Sequence, residues 1–397
     1  MEGPAPPLRP WRRAWGPFRR PRVYNPGVQG RGPIAINAAI VGERPTGLGI
    51  YAVSIVHALA ALGERLVVYT SRPDLVAAPG VEVRRITAAV TPERGPRGHL
   101  ARLLWVQTAL RRHVARDRAG MLLNLMPEGL LGPALPQVTT VHDLLPLLYP
   151  EEYPRHQHYF RRYVPAVLRF SRAVIVCSES TRRDILRLYG KVPAERIHVV
   201  LGGYDAARFT PEGPVEPAPE PYALYLGNVM PHKNLLRLVD AFAAAARHGP
   251  GRLVLRGRGK PRHVEALRAR IASHGLEARV DWQPYADVAS LPALYRGARM
   301  LLLPSLYEGF GLTALEAMAC GTPVITSATS SLPEVVGDAA LLVDPADTGA
   351  LAEAIARLFA DDRLAKDLAA RGLARARLFS WERTGRLVQA ALRAAAA

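Results

Sequence analysis

Apolar residues fall along this chain in two alternating patterns. Short, wholly hydrophobic runs are separated by longer stretches in which apolar positions recur every three or four residues. The short runs include Ile34–Val41 (IAINAAIV), Arg65–Thr70, Gln137–Val141, Ala173–Cys177 and Ile197–Val200. Strands covered on both faces lose the in–out alternation of a half-exposed sheet, so these runs predict buried parallel strands. The helical period appears over Tyr51–Leu62, 99–118, Tyr159–Phe170 and Ser180–Tyr189. In the 99–118 helix, Leu100, Leu103, Leu104 and Leu110 are expected to form the inward face, with Arg102, Arg111, Arg112 and Arg116 largely elsewhere. Strand–helix alternation of this kind predicts a doubly wound parallel sheet.

The pattern stops at residues 211–221 (PEGPVEPAPEP), where five prolines and three glutamates read as a stiff, exposed linker. It then restarts. Tyr222–Leu226, Arg252–Arg256, Met300–Leu303 and Pro323–Thr326 are predicted strands. Leu235–Ala246, Arg262–His274, Thr313–Ala319 and Leu351–Phe359 are predicted helices. The expected layout is a tail over 1–31, a first α/β domain over 32–210, the linker over 211–221, a second α/β domain over 222–380 and a final helix over 381–397. Two such domains leave a cleft at the carboxyl ends of their strands, which is the default ligand site.

The tail over 1–31 is rich in Pro, Gly and Arg and is expected to be disordered, since it cannot bury enough surface to offset its ordering entropy. Across 397 residues no run of 18 apolar residues occurs, so no transmembrane helix is expected. Two cysteines without a CxxC pattern give neither a disulfide framework nor a zinc site. No apolar stretch near the start reads as a secretory signal, and a cytoplasmic protein is expected.

Charge is unevenly spread. Residues 1–210 hold 30 basic and 15 acidic side chains, against 22 and 19 in residues 211–397. A basic first half suits an anionic partner: nucleic acid, a membrane surface or a phosphorylated substrate. Only four of the 52 basic residues are lysine, and such an arginine bias also follows from gene base composition.

Four segments carry candidate chemistry. In TGLGIYA, Gly47 and Gly49 let backbone N–H groups approach a phosphate at a helix N-terminus. As a dinucleotide fingerprint the segment fits poorly, because Gly42–Pro45 separates it from the strand. In GNVMPHKN, Lys233 leads into a helix and is placed to neutralise a diphosphate, or to sit solvated at a helix start. In EGFGLTALEAMACGTPV, Glu308 precedes a glycine-hinged turn and Glu316 lies on the following helix. Gly309 and Gly311 there open the backbone to an anion. The apolar ALEAMACG surroundings predict that Glu316 points into a cleft or a pair. His142 ends a buried strand, where either a ligand contact or a structural histidine belongs. No DxD, GxxxxGK[ST] or GxSxG pattern is present, so a metal–diphosphate clamp, a P-loop and a hydrolase elbow are not expected.

Taken together, the segments VHDLLPLLYPEEYP, IVCSESTRRDILRLYG, YLGNVMPHKNL, LLLPSLYEGFGLTALEAMACGTPVITS and SSLPEVVGDAALLVDP resemble the retaining glycosyltransferases of family 4. The resemblance runs from about Ile34 to about Leu387. It implies the GT-B fold, two Rossmann-like domains about a cleft, with FSWERTGRLVQAAL forming a last helix that crosses back to the first domain. It also implies that the first domain takes the acceptor and the second a nucleotide-sugar.

By the same resemblance, Gly47, Leu48, Gly49, Asn228, Lys233, Gly311 and Leu312 meet the donor diphosphate. Asn228 stands where many members carry arginine, as in a mannosyltransferase-like branch. His142, Glu308, Gly309, Phe310 and Gly311 meet the donor sugar, and Glu316 the ribose. Glu308, Lys233 and His142 are the expected catalytic residues. No metal and no cofactor is expected.

The implied reaction is hexose transfer, with mannose from GDP-mannose as the first expectation and a UDP-sugar as the alternative. The implied acceptor is a glycan or polyprenyl-linked glycan, in cell-surface polysaccharide synthesis. The 99–118 helix and the arginines of 155–172 then suit an anionic membrane surface, with the protein peripheral on the inner face of the plasma membrane. A nucleic-acid-binding protein is the rival from another class. Against it, the basic residues carry no RNP, KH or zinc-finger pattern, and nucleic acid is not expected as a partner.

Overall fold

A computed structural model of the chain describes residues 32–43, 47–132, 134–246 and 251–396. The 1–31 tail lies outside the described residues. The first sheet has seven parallel strands: β1 (Ile34–Asn37), β2 (Leu66–Thr70), β3 (Val81–Arg85), β4 (Met121–Asn124), β5 (Gln137–Val141), β6 (Ala173–Val176) and β7 (Ile197–Val199), in the order β3-β2-β1-β4-β5-β6-β7. The second has six: β8 (Tyr222–Leu226), β9 (Arg252–Arg256), β10 (Val280–Gln283), β11 (Met300–Leu303), β12 (Val324–Ser327) and β13 (Leu341–Val343), in the order β10-β9-β8-β11-β12-β13. Both are doubly wound, reversing direction between β1 and β4 and between β8 and β11. Ligand crevices form at those reversals.

Central strands such as β2, β5 and β8 are buried at every position. The edge strands β3 and β10, with sequences VEVRR and VDWQ, have partly exposed positions. The carboxyl ends of the two sheets face each other. A Cβ built on Gly309, beyond β11, would lie 2.7 Å from the carbonyl oxygen of His142, beyond β5.

The last helix, Trp381–Ala396, returns to the first domain. Its Val388, Ala391, Leu392 and Ala395 join the core formed by Ile55, Leu59 and Ile175. Full burial of a valine or leucine contributes roughly 1.5–3 kcal/mol, so this crossing is a firm attachment. Gly385 is required there, because its Cβ would stand 2.7 Å from that of Ala58. The 211–221 segment is exposed, and Arg296 holds it by bonds to the carbonyls of Thr210 and Pro214.

One sequence expectation is corrected. The 99–118 helix is Gly95–Trp105, a π turn over Val106–Leu110 and a further helix, Arg111–Arg116. Its expected apolar face is split. Leu100 and Leu104 point outward, 59% and 60% exposed, whereas Arg102 is buried. The cause is Glu128, itself buried, whose carboxylate accepts from Arg102 Nε at 2.5 Å and Nη2 at 2.9 Å. A buried carboxylate must be paired, and satisfying it turns the helix so that the arginine faces in.

Candidate active site

Two loops of the second domain build the centre of the site. After β8, Pro231–Lys233 forms a 3-10 turn ended by Asn234 in the left-handed region, φ 62°. The Asn234 amide donates to the carbonyls of Pro304 and Pro345, and the Leu306 N–H donates to the His232 carbonyl. These bonds fix the β8 loop against the β11 loop. Lys233 Nζ thereby reaches both carboxylate oxygens of Glu308, at 2.6 and 2.7 Å. Ser305 Oγ donates to the same carboxylate at 2.7 Å. The pair is 18% and 14% exposed, so it is largely desolvated yet open to a ligand.

The turn after Glu308 exposes backbone donors. Gly311 has φ 108°, a conformation L residues rarely adopt. The first bonds of helix Leu312–Ala319 run from the N–H groups of Ala314 and Leu315 to the Gly311 carbonyl. The N–H groups of Leu312 and Thr313 have no acceptor within the helix and form an anion-ready terminus. Ser330 and Ser331 hold the turn: Ser330 Oγ accepts from the Glu308 N–H, and Ser331 Oγ donates to the carbonyls of Glu308 and Phe310.

Glu316 lies one turn further along that helix and is buried. Burial pushes its carboxyl up to about 7, with the hydrogen bond from Tyr295 and the charge of Arg208 working the other way. The Tyr295 hydroxyl donates to Glu316 Oε2 at 2.9 Å. Arg208 Nη2 is buried without a hydrogen-bond partner among the described residues. Glu316 is thus paired with Tyr295 rather than with Lys233.

The first domain faces this centre with β5 and the helix after β1. That helix, Gly47–Ala61, begins four residues, about one turn, before the Tyr51–Leu62 stretch that the apolar period predicted. Gly47, Leu48 and Gly49 are therefore its first turn, not a loop, and their N–H groups are those a helix leaves unsatisfied. A Cβ on Gly47 would meet nothing within 4 Å, so the approach to this turn is open. Tyr51 of the same helix lies edge-on to His142, with ring centroids 4.7 Å apart.

Burial drags the His142 imidazole down to about 4, against the bond to the Leu125 carbonyl. Nε2 lies 2.9 Å from that carbonyl. A neutral ring must therefore carry its proton on Nε2, which leaves Nδ1 as an acceptor. Next to it, Asp143 takes the N–H of Leu145 on one oxygen, and burial raises its carboxyl.

The structure thus brings Lys233, Glu308, Gly309 and His142 to one place, with the Leu312 and Gly47–Gly49 termini opening on it. Asn228 is exposed after β8 and makes no side-chain hydrogen bond within the described residues, while its carbonyl accepts from Tyr225. Phe310 turns away to pack on Gly202 and Phe379. Sequence reasoning missed Tyr295, Arg208 and the Ser330–Ser331 support. The SSLP stretch was the available signal for the two serines; Tyr295 and Arg208 carry no local pattern.

Comparison with known proteins agrees with this geometry. The family model for glycosyl transferases of group 1 matches residues 208–375, and that for glycosyltransferase family 4 matches residues 45–208. The O-antigen chain mannosyltransferase B of Escherichia coli is 35% identical over 256 residues, covering 62% of this chain and 67% of its own. A D-inositol 3-phosphate glycosyltransferase of Xylanimonas cellulosilytica is 30% identical over 377 residues, covering 85% and 88%. Among solved structures, sucrose-phosphate synthase from Thermosynechococcus elongatus superposes with a TM-score of 0.72 at 26% identity, covering 91% of this chain and 98% of its own.

Proposed function

Because this chain belongs to the family 4 glycosyltransferases, we propose that it transfers mannose from GDP-mannose to a glycan or polyprenyl-linked glycan. Transfer proceeds with retention of configuration and without a metal. The likeness to an O-antigen mannosyltransferase supports the sugar and the setting, synthesis of a cell-surface polysaccharide. The observation that carries the reading is the Lys233–Glu308 pair at the β8–β11 reversal, beside the free N–H groups of Leu312 and Thr313 and facing His142.

The chemistry follows from that arrangement. The bond between the sugar's anomeric carbon and the diphosphate oxygen breaks, and its electron pair leaves with GDP. Negative charge grows on the departing diphosphate while positive charge grows on the sugar ring. Stabilising the departing charge is the main electrostatic task. Lys233 supplies a cation, and the helix termini at Leu312 and Gly47 supply oriented N–H dipoles. Donor binding draws Lys233 toward phosphate and frees Glu308 to accept from the sugar hydroxyls.

His142 serves as a neutral acceptor through Nδ1, since a ring with a pKa of about 4 holds no second proton near pH 7. The acceptor hydroxyl attacks the same face of the sugar and passes its proton to the leaving diphosphate. No side chain is assigned as general base. Glu316 takes the ribose hydroxyls.

The first domain also presents a surface for the acceptor's membrane. Leu100 and Leu104 project from a helix surface that also exposes Arg97, Arg112 and Arg116, and Arg155, Arg161 and Arg162 are exposed on the neighbouring segment. Leucines set among arginines suit the interface of an anionic bilayer. No helix of the described residues is long and apolar enough to cross a membrane. On this reading the protein works peripherally at the inner face of the plasma membrane.

A thermal-shift panel of GDP, UDP and ADP with their sugar conjugates, with and without EDTA, tests the donor assignment. A ligand that binds only the folded state adds about 2.7 kcal/mol at a hundredfold excess over Kd. GDP-mannose should shift the transition whether or not EDTA is present, and Lys233→Ala should abolish the shift. A response to a UDP-sugar alone would replace the donor. No response to any nucleotide would overturn the site.

A further inference from the structure

The PEEYP stretch of the first domain has no part in the site just described, yet it makes a concentrated set of contacts with the second domain. Glu152, in the loop after β5, is 11% exposed at its side chain and receives two cations and a histidine from the start of helix Pro261–Ser273, after β9. Lys260 Nζ lies 3.0 Å from Oε2, Arg262 Nη2 2.7 Å from Oε1 and His263 Nε2 2.9 Å from Oε2. Lys260 also donates to the Glu152 backbone carbonyl at 2.9 Å. Three residues earlier, the Tyr149 ring lies 5.4 Å from that of His232, the neighbour of Lys233. One loop therefore joins the domains at the rim and touches the residue beside the phosphate-facing lysine.

The topology gives these contacts a direction. The Lys233–Glu308 crevice lies between β8 and β11. On its β11–β12 side the domains are joined by one buried side-chain pair and by a partly exposed carboxylate that holds two backbone N–H groups. The Tyr307 hydroxyl donates to Asp184 at 2.7 Å, and the Glu334 carboxylate accepts from the N–H groups of Glu179 and Ser180. The chain crossings lie on that side too. Gly202 abuts Phe310, and Gly203 runs against Ser380 and Trp381, where a Cβ would come within 2.4 Å of the Trp381 nitrogen. Glu152 stands on the opposite, β9 side. There Lys260 and Arg262 are 44% and 60% exposed. Exposed ion pairs are individually weak and are screened by salt. The β11–β12 side has the character of a joint, and the Glu152 side that of an edge that parts.

We infer that Glu152 is a positioning residue, an electrostatic latch that closes the second domain's Lys260–His263 segment over the cleft opposite its hinge. Closure sets the separation between His142 and the Lys233–Glu308 pair and excludes water, with which transfer competes. Donor entry and product exit require the latch to open, and a carboxylate held by half-exposed cations releases without leaving a charge buried. The latch itself stands on the interdomain contacts alone. Only its effect on turnover rests on the transferase reading.

The test measures the distance across the cleft by double electron–electron resonance. Spin labels go on Ala115→Cys and Ala266→Cys, both exposed, one in each domain. The native Cys177 and Cys320 are buried. In otherwise wild-type protein the short separation should dominate at about 0.05 M salt and give way to a longer one at about 1 M, where the screening length falls to about 3 Å. Glu152→Gln should show the longer separation at every salt concentration. The charge swap Glu152→Lys with Lys260→Glu and Arg262→Glu should restore the short one.

In turnover, Glu152→Gln should lower kcat about tenfold, a mid-range coupling for contacting groups. It should leave the donor KM within about twofold and raise the share of donor hydrolysed rather than transferred. An unchanged distance distribution in Glu152→Gln would overturn the latch. If no donor is turned over, the transferase reading falls while the distances still decide the latch.

Discussion

Glu316 offers a perturbation whose size can be worked from the structure. Its carboxyl is pushed from 4.5 to about 7, chiefly by burial. The folded protein thus holds this proton more tightly than the unfolded chain. The corresponding stability is fully present below about pH 4.5 and is lost as pH rises through about 7. The shift corresponds to about 3 kcal/mol at 1.36 kcal/mol per unit. In the proposed role of Glu316 the ribose hydroxyls donate to its carboxylate, and the ionised form is the stronger acceptor, so donor binding favours loss of the proton. A site with a pKa near 7 is about one-tenth ionised at pH 6 and about nine-tenths ionised at pH 8, so the apparent Kd should be roughly tenfold weaker at pH 6.

The assay is isothermal titration with GDP-mannose, whose diphosphate has no terminal phosphate to titrate in this range, at pH 6, 7 and 8. Glu316→Gln keeps a partner for the Tyr295 hydroxyl but carries no charge. It should bind more weakly at pH 8, lose the pH slope, and melt higher than wild type at pH 8 because the cost of a buried charge is gone. A wild-type Kd flat from pH 6 to 8, or the same slope in Glu316→Gln, would refute the reasoning.

Other consequences are equally concrete. Lys233→Ala removes the cation at the leaving group and leaves Glu308 with only Ser305 in its largely desolvated place, so kcat should fall roughly 100- to 1000-fold, as measured by release of GDP. Gly309→Ala puts a Cβ 2.7 Å from the His142 carbonyl across the cleft. It should cut turnover sharply while the melting temperatures of the two domains stay close to wild type, because the clash lies between domains and not within a core. Glu128→Leu strands the buried Arg102 guanidinium and should cost about 3–5 kcal/mol in chemical denaturation. Leu100→Glu with Leu104→Glu should abolish sedimentation with anionic vesicles at low salt without changing the melting temperature. Equal sedimentation of wild type and variant would remove this face from the membrane reading.

Much of the architecture was legible in the sequence because central strands of a parallel sheet announce themselves. Gln137–Val141, Tyr222–Leu226, Arg252–Arg256 and Met300–Leu303 read as strands with the bounds the structure gives them. The strands that went unread are β3, β4, β10 and β13, the last an edge strand of only three residues, LLV, too short to show a period. The edge strands β3 and β10 carry Glu, Arg, Asp and Gln, since an edge faces water and needs no apolar run. The central strand β4 is only MLLN, too short to stand out beside a helix.

The orientation of the Gly95–Arg116 segment was misread because its apolar period is real but its partner is distant. Glu128 decides that Arg102 faces inward, and nothing local to the helix reports it. The same limit applies across the cleft. Glu308 and Lys233, 75 positions apart, could be paired in advance only through family likeness. The junctions made by Glu152 and Glu334 join residues more than a hundred positions apart, which no local pattern reveals. Glu316 was more readable, because a carboxyl set in ALEAMACG has to find a partner or a raised pKa, and it has both.

The most direct test of the central claim follows the sugar itself. Purified protein is incubated with radiolabelled GDP-mannose, EDTA and polyprenyl-linked glycans extracted from membranes, and the lipid-soluble product is analysed for label and for anomeric configuration. The structure and its chemistry predict label in the glycan, joined in the same anomeric configuration as in the donor, and about one-hundredth as much or less with Lys233→Ala. Label that stays in GDP-mannose, or arrives in the inverted configuration, would contradict the account.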